Sequence, residues 1–244
     1  MEKVCLIISG GKFAKLPPEL LRADLVVACD RGLDHADKYG IRPDVVIGDY
    51  DSLSRRNLKR IANGELESER YPREKDDTDT MLAMRRALSL GYRDIRMVCV
   101  FGNRPDHAFA NIQTAHFGAL KGATVRMYDE KAEVIVFSDG SVNLSGKKGG
   151  MLSVFSLSDV SRGVTVKGAK YELEGGELGN SFPLGQSNEF KEDHVEISVE
   201  EGVIMVVECG LRDYTGFGDD DPSHTEVLWT RRRLLYLRAD RDLI

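Results

Sequence analysis

No apolar run in these 244 residues approaches the roughly 20 needed to cross a bilayer, so no membrane helix is expected. The opening "MEKVCLIISGG" enters an apolar strand directly, without the longer hydrophobic segment and small-residue cleavage site of a secretory signal. A cytoplasmic location is the resulting expectation. Positive charge is not in excess: 34 Lys+Arg stand against 40 Asp+Glu, a net −6, which argues against a nucleic-acid partner. Cysteine is sparse, with Cys5, Cys29, Cys99 and Cys209 in separate apolar runs and no CxxC pair. Buried reduced thiols are expected, and neither a thiolate metal site nor a redox pair. Neither G-x-x-x-x-G-K-[ST] nor GxGxxG occurs, since "SGKKGG" has the wrong spacing; this excludes P-loop and Rossmann dehydrogenase chemistry. Internal repeats and low-complexity linkers are also missing.

What remains is a pattern that changes character partway. Up to about Phe137, short apolar runs ("VCLII", "LVVAC", "VVI", "IRMVCVF", "TVRMY", "EVIVF") alternate with amphipathic stretches that close on Gly. Strands separated by such helices imply βαβ units and a mostly parallel sheet with flanking helices. Beyond Gly140 the helical patterns stop. "MLSVFSLS", "RGVTVKGAKYEL", "HVEISVE" and "GVIMVVE" read as short alternating strands of a smaller antiparallel β-sandwich. The expected fold class is α/β followed by that sandwich, divided as 1–139, 140–210 and an extension, 211–244, that fits neither half. The extension's "TEVLWTRRRLLYLRADRDL" reads as a terminal helix with a Leu/Trp face.

In an open α/β sheet, ligands bind beyond the carboxyl ends of the strands, and the unusual residues fall there. "VVIGDYDSL" sets Asp49 and Asp51 one residue apart, on the same side if the backbone is extended. Like charges so placed repel unless a cation sits between them. Asp30 follows "LVVAC", and Ser9, Gly10 and Gly11 follow "VCLII", where bare N–H groups would meet an anion. Gly102 leads into Asp106, His107 and Asn111. "EKDDTDTML" opens a helix with Lys75, Asp76, Thr78 and Asp79, the two acids three apart and so on one helix face. Each has a structural alternative. Asp30 and Asp106 fit helix N-caps, Asp76 with Asp79 fits a capping arrangement, and Gly10–Gly11 fits a turn. His35, His116, His194 and His224 are scattered and read as surface or satisfied polar groups. Convergence of four acidic segments on one sheet edge favours a site. Hard oxygen ligands without a His/Cys set suit Mg²⁺, which commonly bridges nucleotide phosphates. The residues alone do not separate transfer from hydrolysis.

Four motifs in order, "VVACDRGLDHA", "RPDVVIGDYDSL", "EKDDTDTMLAM" and "RPDHAFANI", followed by "LGQSNEF…VEISVEEGVIMVV", resemble the thiamin pyrophosphokinase family over roughly residues 1–209. The resemblance implies a homodimer with a shared active site. It implies transfer of the pyrophosphoryl group of ATP to the hydroxyl of thiamin, with Mg²⁺, giving thiamin diphosphate and AMP. It places the metal on Asp49, Asp51 and Asp79, with Asp30 and Asp106 nearby. Lys75 and Asp76 match the family's lysine–acid pair, and Ser187 and Asn188 its thiamin-side motif. Asp76 is a candidate proton acceptor, and a turn role stands open for Ser187 and Asn188. Asn103 and Pro105 depart from the family's glycine-rich approach to its Asp-His. The rival readings are a diphosphokinase acting on a hydroxymethylpterin, a nucleotide- or thiamin-binding sensor without turnover, and a metal-dependent phosphohydrolase.

Overall fold

The computed structural model describes residues 3–210. The helix expected in 211–244, and His224 with it, lie outside the described residues. The first half builds β1 (Val4–Ile8), β2 (Leu25–Cys29), α1 (Gly32–Tyr39), β3 (Val45–Gly48), α2 (Arg55–Ala62), β4 (Ser68–Arg70), α3 (Asp79–Ser89), β5 (Asp94–Val98), α4 (Pro105–Leu120) and β6 (Thr124–Tyr128). These strands pair in parallel in the order β6-β5-β1-β2-β3-β4. Alternate residues of each strand face opposite layers. Cys5 and Ile7 pack with Met84 of α3 and Ala115 of α4, while Leu6 and Ile8 pack with Ala36 of α1. Both faces are thus apolar, as a parallel sheet between helices demands. The helices end as their sequences direct. Gly40 closes α1 at φ 69°, a left-handed conformation that glycine adopts without a Cβ penalty. The side chains of Ser54 and Thr78 cap α2 and α3.

The antiparallel half comprises β7 (Ala132–Ser145), β8 (Met151–Ser156), β9 (Val160–Lys167), β10 (Leu173–Gly179), β11 (Gly185–Glu189) and β12 (His194–Cys209). β7 joins the parallel sheet through β6 and pairs along its length with β12. From β12 two arms diverge, β9–β10 along its first part and β8–β11 along its last. Ile135, Val154, Val164, Val166, Ile197 and Val206 form the core of this half. The runs "HVEISVE" and "GVIMVVE" are one strand rather than two. A register shift between Val199 and Val203 marks a bulge at Gly202, where a Cβ would lie 2.7 Å from Ser161 Oγ. Cys5, Cys29 and Cys99 are buried free thiols, as expected, whereas Cys209 at the end of β12 is exposed.

Candidate active site

Two left-handed residues build the acidic centre. Asp30 has φ 44°, which turns the chain sharply after β2, and Tyr50 has φ 71° just after β3. Asp30 Oδ1 accepts from the Tyr50 N–H at 2.9 Å, and Gly48 leaves room for this carboxylate, since a Cβ there would lie 2.1 Å from Oδ1. Asp30 therefore does not cap α1, whose N-cap is Arg31 without a side-chain bond. Asp49 and Asp51 do not lie on extended backbone. Asp49 Oδ1 accepts from the Asp51 N–H at 2.9 Å, and this side-chain turn folds the pair together. Carboxylate oxygens of Asp30, Asp49 and Asp51 lie within 4.8 Å of one another. Burial pushes the Asp30 carboxyl up to about 7. The Tyr50 N–H opposes that rise, and the Asp79 and Asp49 carboxyls add to it.

Asp79, the first residue of α3, pairs with Lys75 at 2.8 Å, and its carboxyl acts electrostatically on Asp30. Burial lowers the Lys75 pKa, but Asp79, with the charges of Asp49 and Asp30, outweighs it and the net shift is upward. The compact trio is thus Asp30 with Asp49 and Asp51, and Asp79 borders it through Asp30 and Lys75. Asp76 is exposed and precedes α3, so it does not share a helix face with Asp79; Thr78 Oγ1 caps the helix by accepting from the Met81 N–H at 3.1 Å.

The loops after β1 and β5 are tied to each other. Gly11 donates its N–H to the Cys99 carbonyl at 2.8 Å, and Lys12 to that of Phe101 at 2.7 Å. Gly11 consequently has no bare N–H for an anion, and a Cβ on it would strike the Cys99 carbonyl at 2.4 Å. Gly10 packs against Arg31, whose N–H donates to Ser52 Oγ at 3.2 Å beside Asp51. His35 is buried under this loop, with Nε2 2.9 Å from the Gly11 carbonyl. Asn111 is buried and donates to the Val100 carbonyl at 2.7 Å, holding the start of α4 to the end of β5. Asp106 and His107 stand exposed in the first turn of α4; Arg104 pairs with Asp106 at 2.5 Å and holds its carboxyl below the usual range.

Ser187 and Asn188 sit on β11, away from the acids. Ser187 has φ 58° and an exposed side chain, and its N–H donates to Ser153 Oγ at 3.0 Å. Asn188 is buried. Its Oδ1 accepts from the N–H groups of Tyr171 and Glu189, and its Nδ2 donates to the Tyr171 carbonyl at 2.8 Å. Asn188 therefore fixes Tyr171, an aromatic the sequence reading passed over. It also passed over Arg70 and Arg73, which with Asp49, Asp51, Tyr71 and Pro72 line a cavity of about 450 Å³. Their signal was weak, because the three residues of β4, "SER", carry no apolar alternation.

An α/β half with acidic loops on its carboxyl edge, without a P-loop and fused to an antiparallel half, fits the class of proteins that work on phosphates with a hard metal ion. The family model "Thiamin pyrophosphokinase, catalytic domain" matches residues 17–128, and "Thiamin pyrophosphokinase, vitamin B1 binding domain" matches 141–204. The thiamine pyrophosphokinase of Bacillus subtilis is 26% identical over 209 residues, covering 84% of this chain and 98% of the relative. Its crystal structure superposes with a TM-score of 0.74 at 25% identity, over 85% of this chain and 99% of that one. The thiamin pyrophosphokinase of Geobacillus thermodenitrificans gives 0.73 at 25% identity, over 88% and 100%. That of Candida albicans, at 13% identity and TM-score 0.68 over 85% and 89%, shares the fold. The chain belongs to the thiamin pyrophosphokinase family. Its activity is accordingly thiamin diphosphokinase, and neither the pterin nor the sensor reading draws support from these matches.

Proposed function

We propose that the chain transfers the β,γ-pyrophosphoryl group of ATP to the hydroxyl of thiamin, with Mg²⁺ held at Asp30, Asp49 and Asp51. The observation that carries the metal reading is the trio itself: three hard oxygen donors within 4.8 Å, one of them driven toward its neutral form by burial and by neighbouring carboxyls. Such a set fits Mg²⁺ and lacks the His/Cys donors of zinc. Asp79 borders the set, with Lys75 beside it. Bound there, the ion would neutralise phosphate oxygens of the nucleotide. Lys75 adds a positive charge on the same edge, and the chain's task is to align the hydroxyl oxygen with the β-phosphorus. As that O–P bond forms, the bond from the β-phosphorus to the α–β bridging oxygen breaks, AMP leaves, and the hydroxyl proton passes to a base. Asp76, exposed and close in sequence to Lys75, is the candidate base. Gly10, Thr78, Asp106, His107 and Asn111 frame the nucleotide loops.

Thiamin is a cationic aromatic, so its site calls for aromatic surface with a few neutral polar groups. Tyr171, Ser187 and Asn188 meet that description. Along the ladder, β11 is seven to eight strand positions from β2 and β3. The two sets stand on strands far apart in the ladder, so we assign the complete site to a homodimer in which each copy supplies β11 to the other's acids. We also keep the division into 1–139, 140–210 and the extension, and a cytoplasmic setting. Incubation with ATP, Mg²⁺ and thiamin tests the chemistry. AMP and thiamin diphosphate should form in equal amounts; ADP with thiamin monophosphate would refute pyrophosphoryl transfer.

A further inference from the structure

The segment from Arg70 to Lys75 carries three cations on one side of the acidic centre. Its backbone is keyed to β3, since Arg70 pairs with Gly48 and the Tyr71 N–H donates to the Gly48 carbonyl at 2.9 Å. Arg70 lies over the ring of Tyr50, 5.8 Å from its centroid. Arg73 reaches across the cavity to Asp51, Nε to Oδ2 at 3.5 Å, with its side chain 82% exposed. Lys75 is held by Asp79 and the Pro72 carbonyl. Charge decides what these cations are for. Three carboxylates and a nucleotide triphosphate of about four negative charges exceed what one divalent cation offsets, so the phosphates need further cations. Arg70 and Arg73 share the cavity with Asp49 and Asp51, and Arg73's exposed pair with Asp51 is one it can give up.

We propose that Arg73, supported by Arg70, is a phosphate-binding arm that exchanges partners: it rests on Asp51 without substrate and turns onto the polyphosphate once the metal takes that carboxylate. The proposal rests on the reading of Asp51 as a metal ligand. An exposed arginine–carboxylate pair is weak enough to be given up, worth a few-fold at most in an equilibrium. The guanidinium fork gains more on phosphate, where paired charge-assisted bonds form.

This exchange makes Arg73→Ala act in opposite directions on two ligands. In nucleotide-free protein, Asp51 loses a competing cation, so Mn²⁺ followed by electron paramagnetic resonance should bind about two- to five-fold tighter. With the same variant, KM for Mg·ATP should rise about 10- to 100-fold, while KM for thiamin stays put. Arg73→Lys should recover part of the nucleotide affinity, keeping charge but losing the fork. Unchanged affinities for both ligands would make Arg73 a solvated surface side chain, and weaker binding of both would make the pair structural; either overturns the proposal. Asp51→Asn separates the underlying reading. If it leaves Mn²⁺ affinity unaltered, Asp51 is no ligand and the exchange is refuted, whatever Arg73→Ala does to ATP.

Discussion

Asp49 and Asp51 are brought together by a turn in which one carboxylate accepts the other's N–H, and this permits a clean test. Asn at position 49 keeps an Oδ1 acceptor for that bond, and Asn at position 51 leaves the bond untouched. Asp49→Asn and Asp51→Asn should therefore fold normally while losing at least about 10²-fold in turnover, the loss expected when charge acting on the transition state is removed. Circular dichroism beside a turnover assay reads both; a near-wild-type rate would leave the pair as turn residues. The same scale separates Ser187 from Asn188. Asn188→Ala removes three bonds to backbone around Tyr171 and should cost roughly 1–3 kcal/mol of stability as well as raising KM for thiamin. Ser187→Ala, at an exposed side chain, should raise that KM several-fold with an unchanged melting temperature. The sequence singled out the pair at 49 and 51, but through extended-strand spacing, whereas a turn at Tyr50 is what brings the two together. That Asp30 completes the compact trio and Asp79 borders it was not foreseen, because it depends on left-handed turns at Asp30 and Tyr50, and a tyrosine seldom adopts a positive φ.

Among the elements, those with both faces buried were the easiest to foresee. "VCLII" and "LVVAC" became β1 and β2 residue for residue. "IRMVCVF" overran, since Cys99 turns left-handed at φ 56° and ends β5 at Val98. β4, β10 and β11 escaped notice because their sequences, "SER", "LEGGELG" and "GQSNE", take their strand character from neighbouring ladders rather than from apolar alternation. The long ribbon of β7 and β12 carries an electrostatic liability. Glu133 and Glu208 face each other across it, and Arg126 neutralises Glu133 at 2.8 Å. Glu208 is left with burial, then Glu133's charge, and its carboxyl is pushed up to about 7 from 4.5. A carboxyl with a raised folded pKa is protonated more readily in the native state. Its contribution to stability is full below about 4.5 and lost as pH rises through about 7. Glu208→Gln should accordingly melt higher than wild type at pH 8 and alike at pH 4. Parallel melting curves at the two pH values would remove Glu208 from the account.

At the scale of the whole molecule, the two halves of the described residues share one continuous sheet, and the two sets of site residues belong to strands seven to eight positions apart along it. β11 pairs with β8, which branches from β12, while the acids follow β2 and β3 near the other end of the path. The homodimer proposed above would close the site with a second copy. This is testable without a structure of the dimer. Asp51→Asn disables the acidic half-site, and Ser187→Lys sets a positive charge against cationic thiamin in the other. Each homodimer should be nearly inactive. Mixed dimers formed by co-expression of the two variants carry one site with both defects and one with neither. Random pairing makes half the dimers mixed, so activity should return to about a quarter of wild type. If each chain builds its own site, every site in the mixed dimer keeps one defect and no activity returns.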